Sequence, residues 1–290
     1  MTDDPFTAHR SLLFTVAYEM LGSAADADDT VQETWLRWAD VDRATVRDPR
    51  AYLVRMVTRQ ALNRLRTVSR RREDYVGEWL PEPLLTSPDV ADDVELAESV
   101  SIAMLTVLET LGPTERAVLV LHEVFVVPYD EIAAAVGKSS AAVRQIAHRA
   151  REHVAARRPR MTVSREEQQR VVDRFLTALT AGDLQGLLDV LAPDVVVVAD
   201  GGGLAPAALR PFRGRARVAN ALSRFTAFVP ATPPMTTALI NGAVAARLDP
   251  GGEFDTAITF VIEDGLISQM HAIRNPQKLG RLDTVAELRR

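Results

Sequence analysis

The sequence predicts a multidomain chain: two all-α helical domains followed by a C-terminal α+β domain. Three observations carry that expectation. Helical apolar spacing dominates the first half of the chain. Within it a glycine, Gly137, separates two short amphipathic segments, as a helix-turn-helix requires. Past residue 165, two helical patterns lead into β-branched runs bounded by Gly-containing turns, so helices come first and strands after. The expected divisions are 1–75, a linker at 76–98, 99–160 and 161–290, and 290 residues suffice for two or three domains.

Helical patterns fill residues 6–21, 25–39 and about 49–72, the last with Pro49 at an N1-like position. In the second, Val31, Trp35 and Trp38 fall at i, i+4 and i+7 and share one face. Asp28, Asp29, Gln32 and Glu33 lie mostly off that face. Taken alone, they describe either a well-capped amphipathic helix or an acidic face open to a partner. In the third, Leu53, Met56, Val57, Ala61 and Leu65 form the expected buried stripe. Arg55, Arg59, Asn63, Arg66 and Arg70 lie largely outside it, as a solvated face or a nucleic-acid face.

Residues 76–98 read as a tether, because Pro81, Pro83 and Pro88 interrupt any helix and the acids keep it solvated. Its Trp79-Leu80-Pro81-Glu82-Pro83-Leu84 segment is too apolar to rest in water. Two helices, 99–111 and 113–125, are separated at Gly112-Pro113. The next unit is Tyr129–Val136, Gly137 and Ser139–Arg151. In its second helix Val143, Ile146, Ala147, Ala150 and Val154 point inward. Arg144, Gln145, His148, Arg149 and Arg151 then face out, toward a major groove or phosphates. Ser139 or Ser140 can cap this helix, whose positive N-terminus would face phosphate.

In the last domain, helices are expected at 166–181, 184–191 and 215–227, with strands at Val195–Val198, 236–248, 254–263 and 266–274. Pro250-Gly-Gly252 and Asp264-Gly265 suit hairpins.

Composition narrows the classes. With no cysteine, disulfides and thiolate metal sites are excluded, and neither a metal nor a cofactor is expected. No apolar run is long enough to cross a bilayer and no signal-peptide pattern opens the chain, so the expectation is cytoplasmic. The net charge of −5 argues against a nonspecific nucleic-acid coat, but it hides segregation. Arg64, Arg66, Arg70, Arg71 and Arg72 cluster, and no Lys or Arg follows until Arg116. A second cluster holds Lys138, Arg144, Arg149, Arg151, Arg157, Arg158 and Arg160. Two basic patches joined by an acidic tether suggest two DNA contacts with a joint between them.

This order resembles the extracytoplasmic-function sigma factors of bacterial RNA polymerase. Tyr18-Glu-Met-Leu-Gly22 with Asp26–Trp38 is similar to their region 2, and the helix-turn-helix to their region 4. Trp79–Leu84, Asp200-Gly-Gly-Gly203 and Asn275-Pro-Gln-Lys-Leu279 resemble signatures of a subgroup with a fused SnoaL-like domain, a cone shared with ketosteroid isomerase.

The resemblance implies an alternative sigma factor directing promoter-specific initiation. Asp28, Asp29, Gln32, Glu33 and Trp35 would meet the clamp helices of the polymerase's largest subunit, and its flap is a further contact. The helix with Arg55, Arg59, Asn63, Arg66 and Arg70, with the loop at about 40–48, would melt and read the −10 element. The helix with Ser140, Arg144, Gln145, His148, Arg149 and Arg151 would read the −35 element. Regulation would act in cis: Gly201, Gly202 and Gly203 approach the linker, and Trp79, Leu80, Pro81, Glu82, Pro83, Leu84, Asp200, Asn275, Pro276, Lys278 and Leu279 are the further regulatory candidates. Neither a membrane nor a separate anti-sigma factor is then required.

The alternative is a DNA-binding regulator with a small-ligand-sensing or catalytic, isomerase- or cyclase-like, C-terminal domain. Asp200 would be its base and His271 its proton partner. Against catalysis, all four tyrosines lie at or before Tyr129, leaving the domain without a phenolic oxyanion donor of its own.

Overall fold

The computed structural model describes residues 4–157, 163–228 and 234–290, and the side chains of 69–71, 73 and 225–228 lie outside that description. Contacts divide the chain into two units. The first comprises residues up to Asp74, Met104–Arg158 and Glu287–Arg290; the second comprises Tyr75–Ala103 and Pro159–Ala286. By contacts, then, the linker belongs with the C-terminal domain.

The first unit is helical. It holds α1 (Pro5–Leu21), α2 (Ala24–Ala39), α3 (Pro49–Glu73), most of α6 (Ile102–Leu108), α7 (Pro113–Glu123), α8 (Tyr129–Val136) and α9 (Ser140–Ala155). Local chemistry sets the helix limits. Asp4, Ser23 and Asp48 cap α1, α2 and α3, each accepting a backbone N–H, and Pro5 and Pro49 sit in the first turn where no donor is needed. Gly22 ends α1 at φ 66. α1 is buried almost all round from Leu12 to Leu21 and forms the axis against which α2 and α3 pack. On α2 the buried stripe is Ala24, Ala27, Thr30, Val31, Thr34 and Trp38. Trp35 does not join it: it is 45% exposed, because it is Thr30 and Thr34, not Trp35, that complete the inward face. Gly137 at φ 69 turns α8 into α9, whose Val143, Ile146, Ala147, Ala150 and Val154 are buried.

The expected 99–111 helix is replaced by two. α5 (Val94–Val100) begins earlier, capped by Asp93, and the chain breaks at Ser101 before α6. Much of the supposed tether is therefore ordered, including α4 (Pro88–Asp92).

The second unit is α+β. α10 (Arg165–Ala181) and α11 (Leu184–Val190) precede β1 (Leu191–Asp200), β2 (Phe212–Arg213), α12 (Arg215–Phe228), β3 (Met235–Ile240), β4 (Ala243–Leu248), β5 (Thr256–Glu263), β6 (Leu266–Ile273) and α13 (Pro276–Leu279). The sheet order is β2-β1-β6-β5-β4-β3, with β1 parallel to β6 and the other pairs antiparallel. The strand expected over 236–248 is a hairpin. Asn241 (φ 52) and Gly242 (φ 75) make its two-residue turn, a conformation that Asn-Gly adopts at little cost. One sheet face packs Phe260, Met270, Ile258 and Val244 against α10, α11 and α12. The other packs Ala245, Ala257 and Ile273 with Leu80, Ile102, Leu279 and Leu282, so linker residues complete a core on the C-terminal sheet.

Candidate functional site

On α2 the expected polymerase-facing residues are outward: Asp29, Gln32, Glu33 and Trp35 are exposed and Asp28 is half-buried. Arg64 of α3 organises them. Its guanidinium binds Asp26 at 2.7 Å, Asp29 at 2.5 Å and Glu33 at 3.4 Å. Asp28 pairs with Arg10 at 3.5 Å. Beside Arg64 lies an open groove of about 320 Å³ lined by Asp26, Glu33, Gln60, Asn63 and Thr67. Sequence reasoning placed Arg64 in a basic cluster; that it gathers three carboxylates follows only from how α3 lies across α2.

The α3 face is divided. Arg66 is exposed and donates to Asn63 Oδ1 at 3.4 Å, and Arg55 lies 5.1 Å from the Tyr52 ring centroid. Arg59 is not free: it donates to the Ala134 and Ala135 carbonyls at 2.7 and 3.4 Å, closing the C-terminal turn of α8. The side chain of Arg70 and all of Arg158 and Arg160 lie outside the described residues.

Between α1, α3, α6 and α7 lies a buried ionic cluster. Arg116 is 1% exposed; it donates to the Glu19 carbonyl at 2.9 Å and pairs with Glu109, which also binds Arg72. Burial pushes Arg116 down to about 9, and burial followed by the like charge of Arg116 does the same to Arg72. Both keep their charge at neutral pH.

On α9, Gln145, Arg149 and His148 are exposed, and His148 lies 3.6 Å from Glu152. Arg144 lies over the Tyr129 ring at 6.0 Å. Arg151 is committed within the domain, to Glu123 at 2.7 Å and the Tyr129 hydroxyl at 2.6 Å. Ser139, not Ser140, fills the cap position, accepting from the Ala142 N–H at 3.2 Å. Ser140 is the first residue of the helix proper.

In the second unit the three signature segments converge. Asp200, fully buried, accepts from the Tyr75 hydroxyl at 2.6 Å, the Leu80 N–H at 2.9 Å and Lys278 Nζ at 2.6 Å. Lys278 Nζ also donates to the Leu80 carbonyl at 2.5 Å and lies 4.2 Å from the Trp79 ring and 4.9 Å from the Tyr75 ring. This ammonium is thus held by a carboxylate, a carbonyl and two π faces. Asn275 caps α13, in which Pro276 opens the helix and Leu279 is buried, and its Nδ2 donates to the Tyr75 hydroxyl at 2.8 Å. Burial first, and then the bond to Asp200, raise the Tyr75 phenol above its ordinary range.

The glycine loop lies against the same segment. A Cβ on Gly202 (φ 58) would fall 2.3 Å from Asn275 Nδ2 and 2.7 Å from the Tyr75 hydroxyl, and one on Gly203 (φ 72) would fall 3.3 Å from Val76. On Gly201 it would fall 2.1 Å from the Ala205 carbonyl oxygen. Pro81, Glu82, Pro83 and Leu84 are buried, with Arg281 3.6 Å from Glu82. The C-terminal domain has no tyrosine of its own, and the phenol that reaches it, Tyr75 from just before the linker, donates its proton to the hydrogen bond with Asp200.

A second linker anchor was not foreseen. Leu84 and Asn241 exchange bonds, the Leu84 N–H to Asn241 Oδ1 at 2.8 Å and the Asn241 N–H to the Leu84 carbonyl at 2.9 Å. Asn241 Nδ2 donates to the Val100 carbonyl at 2.7 Å, and the Thr86 N–H to the Leu239 carbonyl at 2.9 Å. The linker therefore adds strand-like pairing to the open edge at β3, which would otherwise present unpaired backbone groups. The Asn-Gly dipeptide was the signal that could have located this turn. His271, by contrast, is 2% exposed, its Nδ1 has no hydrogen-bond partner, and burial pushes it down to about 4.

Comparison with known proteins matches Sigma-70 region 2 to residues 6–71, Sigma-70 region 4 to 101–154 and a SnoaL-like domain to 172–270. The chain is 38% identical to the ECF RNA polymerase sigma factor SigJ of Mycobacterium tuberculosis, over 94% of this chain and 91% of the relative. It is 33% identical to the probable ECF sigma factor SigI of the same species, over 95% and 93%. The crystal structure of M. tuberculosis SigJ superposes with a TM-score of 0.76 at 37% identity, covering 94% of this chain and 96% of that one. No helix among the described residues is long and apolar enough to cross a membrane.

Proposed function

Because the chain belongs to the extracytoplasmic-function RNA polymerase sigma factors, we propose that it brings bacterial core polymerase to its own promoters and is governed in cis by its SnoaL-like domain. In this reading Asp28, Asp29, Gln32, Glu33 and Trp35 meet the core enzyme, with Arg64 holding two of the carboxylates in place. Arg55, Asn63, Arg66 and Arg70 serve the −10 element, while Arg59 braces the end of α8. Arg144, Gln145, His148 and Arg149 serve the −35 element, with Ser140 at the helix end nearest phosphate and Arg151 bracing the helix from within. The site of action is the cytoplasm, where core polymerase and DNA are.

The observation that carries cis control is the fate of Trp79–Leu84: an apolar segment in an acidic tether is buried against the C-terminal domain through Asp200 and Lys278. The linker joins the two DNA-reading domains in the chain, so holding it limits how far they can separate. Release and capture then shift the fraction of molecules able to span both promoter elements. A separate anti-sigma factor is not needed for this step. The same geometry disfavours an enzyme, since both Asp200 oxygens are occupied by linker groups and Lys278, leaving no lone carboxylate to act as a base.

The test is transcription in vitro with core polymerase, comparing the full chain with Trp79→Ala, a Gly202→Ala loop variant and their combination. Single variants should change transcript yield in the same direction and the pair should add little. Fully additive effects would separate the two motifs. No promoter-dependent transcript from the full chain with core would reject the sigma reading itself. Loss of core binding on replacing Asp28, Asp29 and Glu33 by alanine checks the α2 assignment.

A further inference from the structure

We propose that the surface formed by β2, the loop before it and the outer face of α12 binds the phosphate backbone of DNA, giving the chain a third DNA contact on its C-terminal domain. This rests on the chain acting at DNA, as argued above, but it uses residues assigned no part there. Between Asp200 and Asp249 the sequence has no Asp or Glu across 48 residues, while Arg210, Arg213, Arg215, Arg217, Arg224 and Arg247 all fall within it. In a chain of net charge −5 this stretch is longer even than the acidic tether, where 43 residues between Arg72 and Arg116 carry no Lys or Arg.

Arg247 is neutralised by Asp255 and Asp283 at 3.1 and 2.9 Å. The other five have no ion pair among the described residues, and Arg210, Arg213, Arg217 and Arg224 are exposed. The fold gathers them. β2 is the edge strand at the opposite end of the sheet from β3, with Arg213 opposite Val196 of β1, and Gly214 (φ 97) turns the chain directly into α12. Val218 and Ala219 drive the inner face of α12 into the core. Arg217 and Arg224, seven residues apart, therefore share an outer face about 10 Å long. Arg217 lies 5.8 Å over the Phe212 ring, tying the first helical turn to the strand.

The local electrostatics are opposed to stability. α2, α5, α7, α8 and α10 carry acids in the first turn, where the helix end is positive. α12 has none, as is also true of α1, α3, α6, α9, α11 and α13, but it places Arg215 and Arg217 there, and Arg215 Nε has no hydrogen-bond partner. Cations repelled by a helix N-terminus are relieved by an anion. A single small phosphate cannot span the loop, the strand and two turns of helix, whereas a duplex offers phosphates all along such a surface. Guanidinium groups suit them because each can grip one through two N–H donors.

The test uses the full chain with core polymerase and a labelled promoter duplex, with affinity measured by anisotropy over a salt series. Replacing Arg210, Arg213, Arg217 and Arg224 together by Gln removes surface charge without touching the core, and unchanged amide exchange around Trp79 verifies folding. Affinity at low salt should fall about 10–100-fold, and the slope of log K against log salt should flatten by about 3. The loss should be equal for duplexes differing in sequence outside the promoter elements, as phosphate contacts require. An unchanged slope would overturn the proposal. So would weakened binding to core polymerase with the DNA slope intact, since the surface would then meet protein. A wild-type chain that bound no promoter with core would instead defeat the sigma reading.

Discussion

Each unit joins segments distant in sequence through a buried cation, and the two arrangements differ. In the linker-binding unit Lys278 has a carboxylate, a carbonyl and two aromatic rings around one ammonium, and Asp200 has three donors. In the helical unit, Arg72 and Arg116 share Glu109, repel one another, and leave Arg116 Nη2 without a hydrogen-bond partner. Burying an ion costs several kcal/mol unless its whole hydrogen-bonding capacity is met. The first cluster meets it and works as a clasp. The second meets it in part, so less is lost when water enters. In the proposed reading, where two regions of the helical unit part to span a promoter, the second kind of contact suits them and the first suits a captured linker.

The sharpest way to break the contrast is Asp200→Asn. It strands the buried Lys278 ammonium and should destabilise the linker-binding unit by about 3–5 kcal/mol, read as faster amide exchange over residues 75–86. Adding Lys278→Met should recover much of that loss, because no buried charge then remains; an additive double mutant would show that the clasp is not the unit of stability.

Acid should separate the units next. His271 is the buried histidine among the described residues, and its pKa falls from 6.5 to about 4 on folding. Above pH 6.5 both states are neutral there and nothing changes. Below it the unfolded chain takes up the proton first, so stability falls from about pH 6.5 to about pH 4 and then levels, by about 3 kcal/mol in all. His271→Gln should remove that part of the pH dependence from the second unit; an unaltered slope would refute the assignment.

Gly242→Ala tests the second anchor. The new Cβ would fall 2.7 Å from the Ala97 backbone at φ 75, and about 2 kcal/mol should be lost through displacement of α5. Exchange should quicken at Leu84 and Thr86 and much less at Leu80, separating the two anchors. The smallest effect is expected from Arg59→Ala in the helical unit. It removes two bonds to the end of α8, worth about 1 kcal/mol, or about fivefold in exchange there.

Much of this was legible in the sequence wherever the information is local. Helix limits follow from Asp48-Pro49, Ser23 and Gly137, since a cap or a turn needs only its neighbours in the chain. Trp79–Leu84 was marked for burial by its contrast with the acids around it. Spacing alone put Trp35 on the inner face of α2, and the packing gave that place to Thr30 and Thr34. It drew 236–248 as one strand although Asn241-Gly242 stands in the middle, because apolar residues flank both sides of the turn.

By itself, then, the sequence determined the order of domains, the family and which segments seek burial, because hydrophobic period, caps and turn residues act over a few positions. Only the tertiary structure decided the pairings. Tyr75 meets Asp200 across 125 residues, Leu84 meets Asn241 across 157, and Arg59 meets Ala134 across 75. No local pattern encodes such partners. They are chosen when a sheet edge, a buried carboxylate and a helix end, each with unmet hydrogen bonds, are brought within reach of the groups that satisfy them.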